Sequence, residues 1–178
     1  MRRIWVFTVT LLLVGCAQEE PEVVEEESTV AIRSIGDILV HSDVYTAART
    51  DTGFDFSGMF DPVRAFVQDA DITTANMEVP VAGEEFGLSG YPQFNAPPEI
   101  IDALAGAGVD IVNNATNHSM DRGDGGVVAS TGNMRERGML YTGSYASEQD
   151  KSRPPHHRGQ RHHRRLPRLH LRHQRPAG

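Results

Sequence analysis

The chain has 178 residues, which is long enough for one domain with a real core but too short for two. Its charge is uneven, because residues 1–150 contain all 24 acidic residues and only 8 of the 17 basic ones, whereas residues 151–178 contain the other 9 basic residues and no acidic one. The acidic balance of the longer part argues against nucleic-acid binding. The single Cys excludes an internal disulfide.

The N-terminus has the pattern of a bacterial lipoprotein. Two arginines precede an apolar run over residues 4–14, which suits the hydrophobic region of a signal peptide. The run ends at Cys16 in a pattern that resembles a lipobox, so we predict a signal peptide over residues 1–15 and lipidation of Cys16. The protein is then expected on the extracytoplasmic face of a bacterial membrane. The alternative is an ordinary signal peptide with an incidental Cys. The Glu-rich residues 16–29 are predicted to form a disordered acidic tether.

Strand and helix patterns alternate along residues 30–150. Strands are predicted over residues 30–35, 71–76, 109–112 and 139–142. Helices are predicted to begin near Asp61, Pro97 and Gly123. We expect the first helix to turn Val63, Phe66 and Val67 inward, and the second Ile100, Ile101 and Leu104. This alternation predicts an α/β fold with a parallel sheet and right-handed crossovers.

Polar side chains follow three of the predicted strands. Asp37 follows the first strand, and Asn76 and Glu78 end the second and share a face because they are two residues apart. Asn117 and His118 follow the third strand. Because the carboxyl ends of parallel strands lie along one edge of a sheet, these groups are expected to converge. Two carboxylates, an amide oxygen and an imidazole suit one or two divalent cations used in phosphoester or related hydrolysis.

The residues around His118 have a second interpretation. Asp121 lies three residues after His118 and is predicted to orient it as a general acid, which makes both catalytic candidates. The alternative is an Asn/Asp-rich turn over residues 113–121 that caps the next helix. A plain turn is likewise the alternative at Asp37.

The segment over residues 83–97 is predicted to be a long loop rich in Gly, Pro and aromatic residues. Loops of this length within a compact domain often form a lid or a rim of a site. We therefore predict that Tyr91 and Asn95 contact substrate, together with Asn76. The alternative is an ordered surface loop without a binding role.

Four segments carry a family resemblance: Gly36-Asp37, DADITTANME at residues 69–78, GYPQFNAPP at residues 90–98, and NHSMDRG at residues 117–123. In this order they resemble the CapA family of capsule or poly-γ-glutamate synthesis proteins, which have a calcineurin-like metallophosphatase fold. The similarity covers residues 30–150 and matches the N-terminal part of the family. It implies a partial metallophosphatase-like β-α-β layered sheet.

The resemblance also implies roles for single residues. Asp37 would bind one metal ion, Glu78 would bridge to or bind a second, and Asn117 would be a further ligand. His118 would act as an acid, a phosphate contact or a metal ligand. The implied cofactors are two divalent ions, Mn, Fe or Zn. Thr116 stands where the family more often has Asn, and this departure removes no ligand.

Residues 151–178 depart from the family and contain no Val, Ile or aromatic residue. One interpretation is a basic nucleic-acid or metal-binding tail. The interpretation we favour is an out-of-frame translation that begins between residues 150 and 155. In the frame that starts at the second base of each codon, the genetic code turns all six His of the tail into Ile or Thr. The chain is then expected to be an inactive fragment with a disordered tail.

These observations leave three functions open. The first is a membrane-anchored capsule or poly-γ-glutamate synthesis protein with a metal-dependent hydrolase-type site, whose partners are an anionic cell-surface polymer or its synthase complex. The second is a non-catalytic scaffold component of that synthase. The third is a substrate-binding lipoprotein whose ligand lies on the loop over residues 83–97.

Overall fold

The computed structural model describes residues 29–152. The predicted signal peptide, Cys16, nearly all of the acidic tether and all but the first two residues of the basic tail lie outside the described residues. The strands are β1 (Ile32–Ile38), β2 (Arg49–Thr50), β3 (Gly53–Phe54), β4 (Ile72–Met77), β5 (Ile111–Asn113) and β6 (Leu140–Thr142). The α-helices are α1 (Ser42–Ala47), α2 (Arg64–Gln68), α3 (Glu99–Ala107), α4 (Gly123–Glu136) and α5 (Glu148–Lys151). Two 3-10 helices cover Ser57–Val63 and Glu84–Phe86.

Four of the strands form one parallel sheet, in the order β1-β4-β5-β6. Helical segments connect consecutive strands of this sheet, which confirms the predicted α/β class and the predicted parallel pairing. The remaining strands, β2 and β3, form a two-stranded antiparallel hairpin that was not predicted. Within residues 29–152, no helix has the length and apolar content needed to cross a membrane.

The hydrophobic core lies on one face of the sheet. Its strand residues alternate along β4, where Thr73, Ala75 and Met77 are buried. The inward face of α3 is buried as predicted and consists of Ile100, Ile101 and Leu104. The helix ends at Gly108, whose left-handed backbone (φ +108°) allows the chain to turn back into β5. Burial of these apolar side chains is what holds α3 against the sheet.

The opposite face of the sheet is more open. Side chains in register across the strands are exposed or half-buried on this face: Ser34, Thr74, Ile111 and Leu140. Polar side chains follow in the next register toward the carboxyl ends of the strands. The sheet therefore places a polar edge on its less covered side.

The segment after Asp61 differs from the prediction. Instead of one α-helix that starts there, the chain forms the 3-10 helix over Ser57–Val63 and then the short α2. Val67 is buried as predicted, but Val63 and Phe66 are 47% and 61% exposed, so their predicted inward orientation is wrong. A 3-10 turn has three residues per turn, which shifts the side chains that follow it. Phe66 packs outside the core, with the Arg33 guanidinium 4.0 Å from its ring centroid.

Tyr141 and Asp150 hold the C-terminal part of the described fold together. The Tyr141 hydroxyl donates to both carboxylate oxygens of Asp150, at 2.9 and 2.8 Å, and the backbone N–H of Ala146 donates to the same carboxylate at 3.0 Å. Asp150 lies within α5, so ordered structure continues past residue 150, where the domain was predicted to end. Burial, with the hydrogen bond and charge of Asp150, raises the pKa of Tyr141 to about 12.

This raised pKa predicts a loss of stability at alkaline pH. The unfolded chain releases the Tyr141 proton near the ordinary value of 10.0, whereas the folded chain holds it up to about 12. The contribution is therefore complete below pH 10 and decreases as the pH rises toward 12. We expect the free energy of unfolding of Tyr141→Phe to fall less at alkaline pH than that of the native chain. At pH 7 the variant should be less stable than the native chain by about 1 kcal/mol, because the hydrogen bond to Asp150 is lost.

Urea unfolding at pH 7 to 11.5 measures both effects. Tyr45→Phe is the matched control, because the Tyr45 hydroxyl makes no hydrogen bond to any residue in the range 29–152 while its ring packs against Phe54. An alkaline slope that is the same in both variants contradicts the prediction.

Candidate functional site

Four side chains form a polar row at the carboxyl end of the sheet. Asp37, Asn76, Asn113 and Thr142 are register partners on β1, β4, β5 and β6. Because neighbouring partners in a parallel sheet point to the same face, the row forms one continuous polar edge. Asn113 was not among the predicted site residues, although its position at the end of a strand beside Asn76 would have indicated it.

A β-bulge brings Asp37 into this row. Ser34 pairs with Thr74 and Asp37 pairs with Asn76, so β1 uses one residue more than β4 over the same distance. Without the extra residue, Asp37 would point to the opposite face from Ser34, because side chains alternate along a strand. The strand also continues to Ile38, past the predicted end at residue 35, so Asp37 lies within β1 and not after it. The bulge thus re-aims one carboxylate toward the site.

The Asn76 amide joins two carboxylates. Its Nδ2 donates to Asp37 Oδ1 at 2.8 Å and to Glu78 Oε2 at 2.5 Å, and its Oδ1 accepts from Asn113 Nδ2 at 2.6 Å. Both N–H groups of the amide donate to carboxylates. Because carboxylates only accept hydrogen bonds, these partners determine which end of the Asn76 amide is the nitrogen. The two carboxylate oxygens are therefore no further apart than the sum of the first two distances. We call Asp37 and Glu78 the carboxylate pair.

His118 and Asp121 form a second unit. The Nδ1 atom of His118 lies 2.8 Å from Oδ2 of Asp121, and the two side chains are only 19% and 13% exposed. A carboxylate at Nδ1 keeps the proton on that nitrogen and leaves Nε2 with a lone pair. Asp121 does not cap α4, whose N-cap is Arg122 without a side-chain cap. The structure therefore shows the predicted orienting contact, while the catalytic role of both residues stays a prediction.

Thr116 connects the two units through the backbone. Its hydroxyl donates to the carbonyl of Glu78 at 2.7 Å and accepts from the N–H of His118 at 3.1 Å. The loop that carries His118 is therefore anchored at the strand end that carries Glu78. From the sequence, Thr116 was identified only as a departure from the family pattern. Its position two residues before His118 is typical of a hydroxyl that forms a turn, and this position would have indicated the contact. Asn117, the predicted metal ligand between them, is exposed.

The predicted substrate contacts of the loop lie in different environments. Tyr91 is 79% exposed, whereas Asn95 is fully buried. The Asn95 side chain accepts from Ala82 N at 2.9 Å and donates to the carbonyls of Gly83 and Gly87 at 2.8 and 3.1 Å. Asn95 thus braces the loop through backbone groups. A direct contact with substrate is still a prediction for both residues.

The fit of the site to a metal ion depends on its oxygen donors. Across residues 29–152, no three side chains of the His, Cys, Asp and Glu types are grouped closely enough to hold one. The carboxylate pair does offer Asp37 Oδ2 and Glu78 Oε1, which make no hydrogen bond to another described residue, and the Asn76 and Asn113 amides lie beside them. Hard divalent cations prefer oxygen ligands, with water completing the coordination. This donor set fits one hard cation better than a zinc ion held by nitrogen or sulfur.

Fold and site together define an α/β protein whose polar site lies at the carboxyl ends of parallel strands. The family model of the bacterial capsule synthesis protein PGA_cap matches residues 31–166. The chain belongs to this family and has a role in capsule synthesis, which confirms the predicted resemblance. The matched range continues beyond residue 150, where the resemblance was predicted to end. A comparison with curated proteins gave no match.

Gly143 provides a test of how tightly the strand ends are packed. It follows β6 with φ +117°, and an added Cβ would lie 2.6 Å from Ala115 N and 3.0 Å from Asn113 Oδ1. We expect Gly143→Ala to lower the free energy of unfolding by about 2–3 kcal/mol, measured by urea denaturation. The control is Gly132→Ala in α4, where an added Cβ meets no atom within 4 Å. It should raise stability by about 0.5–1 kcal/mol, and equal effects would contradict the packing described.

Asn76→Asp tests the shared amide. The substitution removes both N–H donors and places a third carboxylate beside the carboxylate pair. We expect a loss of about 2–3 kcal/mol in the free energy of unfolding at pH 7, which becomes smaller at high salt because ions screen the added charge. Asn76→Ala, which removes the donors without adding charge, should lose less and show little of this salt dependence. Identical salt dependence in the two variants would contradict the role of the amide.

Proposed function

We propose that this capsule synthesis protein is a membrane-tethered component with a metal-dependent hydrolase-type site, which acts on an anionic cell-surface polymer or within the complex that synthesises it. The observation that carries the proposal is the convergence of the carboxylate pair on one amide, on the less covered face at the carboxyl end of the sheet. Two carboxylates held this close repel each other, and a bound cation would relieve that repulsion.

Different residues of the chain would have different roles in such a site. Asp37 and Glu78 would hold the cation, and Asn76 with Asn113 keeps the two carboxylates in place. When bound, the cation supplies Lewis-acid chemistry for hydrolysis of a polymer linkage. His118 would exchange a proton with the substrate at Nε2, because its Nδ1 is held by Asp121.

The donor atoms support some of the proposed cations more than others. Among Mn, Fe and Zn, the oxygen-rich carboxylate pair favours Mn or Fe. A second ion would need Asn117 and His118, which lie on the loop anchored by Thr116. The proposal therefore requires one cation at the carboxylate pair and allows a second toward His118.

The membrane tether and the altered frame are separate parts of the proposal. The apolar run and the lipobox-like pattern at Cys16 support lipidation and an extracytoplasmic location. The loss of β-branched and aromatic residues after residue 150 supports a frameshift, whereas the family match continues to residue 166. Resequencing the locus from codon 150 decides this point. An intact single frame that ends at Gly178, with no family sequence downstream of it, would count against the frameshift.

A non-catalytic role in the polymer synthase is the second candidate. It is favoured by the absence of any group of three His, Cys, Asp or Glu side chains suited to a metal in the range 29–152. On this alternative, the chain holds another component of the synthase and needs no cation. Capsule production that stays intact in strains carrying Asp37→Asn and Glu78→Gln, without metal binding by the native chain, would support it.

Metal binding by the full chain separates the two candidates. We expect Mn²⁺ to bind at a single site in titration calorimetry, and Asp37→Asn and Glu78→Gln each to weaken that binding by at least about tenfold. These substitutions keep the side-chain shape and remove the charge, so folding measured by circular dichroism should stay unchanged.

Asp51→Asn is the matched control, because Asp51 is an exposed carboxylate in the turn between β2 and β3, which form a different sheet from the one that carries the polar row. Its Mn²⁺ binding should equal that of the native chain. No Mn²⁺ binding by the native chain, with capsule production still intact in strains carrying Asp37→Asn and Glu78→Gln, would refute the hydrolase and leave the scaffold role.

A further inference from the structure

Arg122 fastens a loop that no predicted role explains. We call residues 87–94 the aromatic loop, because they carry Tyr91 and Phe94. Nη2 of Arg122 donates to the loop at three points, which are the Gly87 carbonyl at 3.2 Å, the Gln93 carbonyl at 3.1 Å, and the Ser89 hydroxyl. A single guanidinium therefore joins the beginning and the end of the aromatic loop.

Asp121, the residue before Arg122, fastens the same loop to His118. One oxygen atom of Asp121, Oδ2, accepts both from the Phe94 N–H at 2.7 Å and from His118 Nδ1 at 2.8 Å. Because both bonds end on one atom, Oδ2 cannot move with the loop without changing its contact to the imidazole. The consecutive residues Asp121 and Arg122 thus hold the aromatic loop at four points, Gly87, Ser89, Gln93 and Phe94, and connect its last residue to the candidate acid.

The ring of Phe94 adds a second contact between the loop and His118. Phe94 is buried, and its ring meets the imidazole edge to face, with the centroids 4.6 Å apart and the planes at 81°. The Phe94 ring also meets the His41 ring edge to face, with the centroids 4.9 Å apart. The imidazole of His118 is therefore confined by Asp121 at Nδ1 and by an aromatic ring of the loop.

A role in stabilising the fold does not by itself explain an arginine at position 122. It makes no ion pair with a carboxylate anywhere in residues 29–152, and its buried Nε has no hydrogen-bond partner there. A buried donor without a partner destabilises the fold, so such groups call for an explanation beyond stability. The Arg122 guanidinium donates instead to carbonyl and hydroxyl oxygens of the aromatic loop and to the Asp121 carbonyl.

We propose that Asp121 and Arg122 are a positioning pair that makes the orientation of the His118 imidazole depend on the aromatic loop. A polymer segment that contacts the exposed Tyr91 ring then acts on His118 through the loop, without touching it. The benefit of this coupling to hydrolysis rests on the proposed function. The coupling itself needs no metal, so it is testable in the metal-free protein.

Two conservative variants of the full chain test the coupling in the presence of a chelator. Ser89→Ala removes one acceptor of Arg122, and Arg122→Lys keeps the charge but loses the planar fork. We expect each variant to shift the ring signal of His118 in a carbon-13 spectrum of histidine-labelled protein, with the signal identified by its loss in His118→Gln. Hydrogen exchange of the Phe94 amide should become at least about tenfold faster.

Arg137→Lys is the matched control, because Arg137 pairs with Asp102 of α3 and makes no contact with the aromatic loop. It should leave the His118 signal and the Phe94 exchange rate unchanged. If Ser89→Ala and Arg122→Lys also leave both unchanged, the coupling is overturned, whatever the metal titration shows. If Arg122→Lys fails to fold, Ser89→Ala decides, since it removes only a hydroxyl. A shifted His118 signal together with faster Phe94 exchange in Ser89→Ala alone supports the coupling.

Discussion

The hydrogen bonds from the Asn76 amide to Asp37 and Glu78 are the interaction on which the site depends. Two carboxylates at neighbouring strand ends repel each other, and a neutral side chain with two N–H groups offsets part of that repulsion. The amide keeps this orientation because its oxygen accepts from Asn113. Three adjacent strands thus contribute to one small arrangement. The β1 bulge is a precondition, because it turns Asp37 to the face on which Asn76 lies.

The rest of the sheet explains why this arrangement is accessible. The hydrophobic core lies on the face of the sheet that packs against α3. The polar row lies on the opposite, less covered face, at the carboxyl ends of the strands. His118 belongs to a separate unit that is anchored to the strand end by Thr116 and to the aromatic loop by Asp121. The carboxylates depend on sheet geometry, whereas the imidazole depends on loop geometry. On the proposed function, such an open edge would admit a long polymer more readily than an enclosed pocket would.

Much of the fold was predictable because its elements have clear periodicity. The apolar spacing of Ile100, Ile101 and Leu104 indicated a helix with one buried face, and the structure has α3 there. The prediction was wrong at Val63 and Phe66, where a 3-10 helix changes the phase of the side chains and Arg33 holds the Phe66 ring outside. The hairpin of β2 and β3 was missed, because strands of two residues have no measurable alternation.

By itself, the sequence determined the parallel α/β class, the family, and which polar residues stand at strand ends, because these follow from local periodicity and short motifs. Only the tertiary structure decided which of those residues meet. The bulge sets the direction of Asp37, and the buried position of Asn95 depends on backbone carbonyls brought together by the loop. The fastening of the aromatic loop by Arg122 joins residues about thirty positions apart. Such contacts depend on register and chain direction in space, which no local pattern of residues encodes.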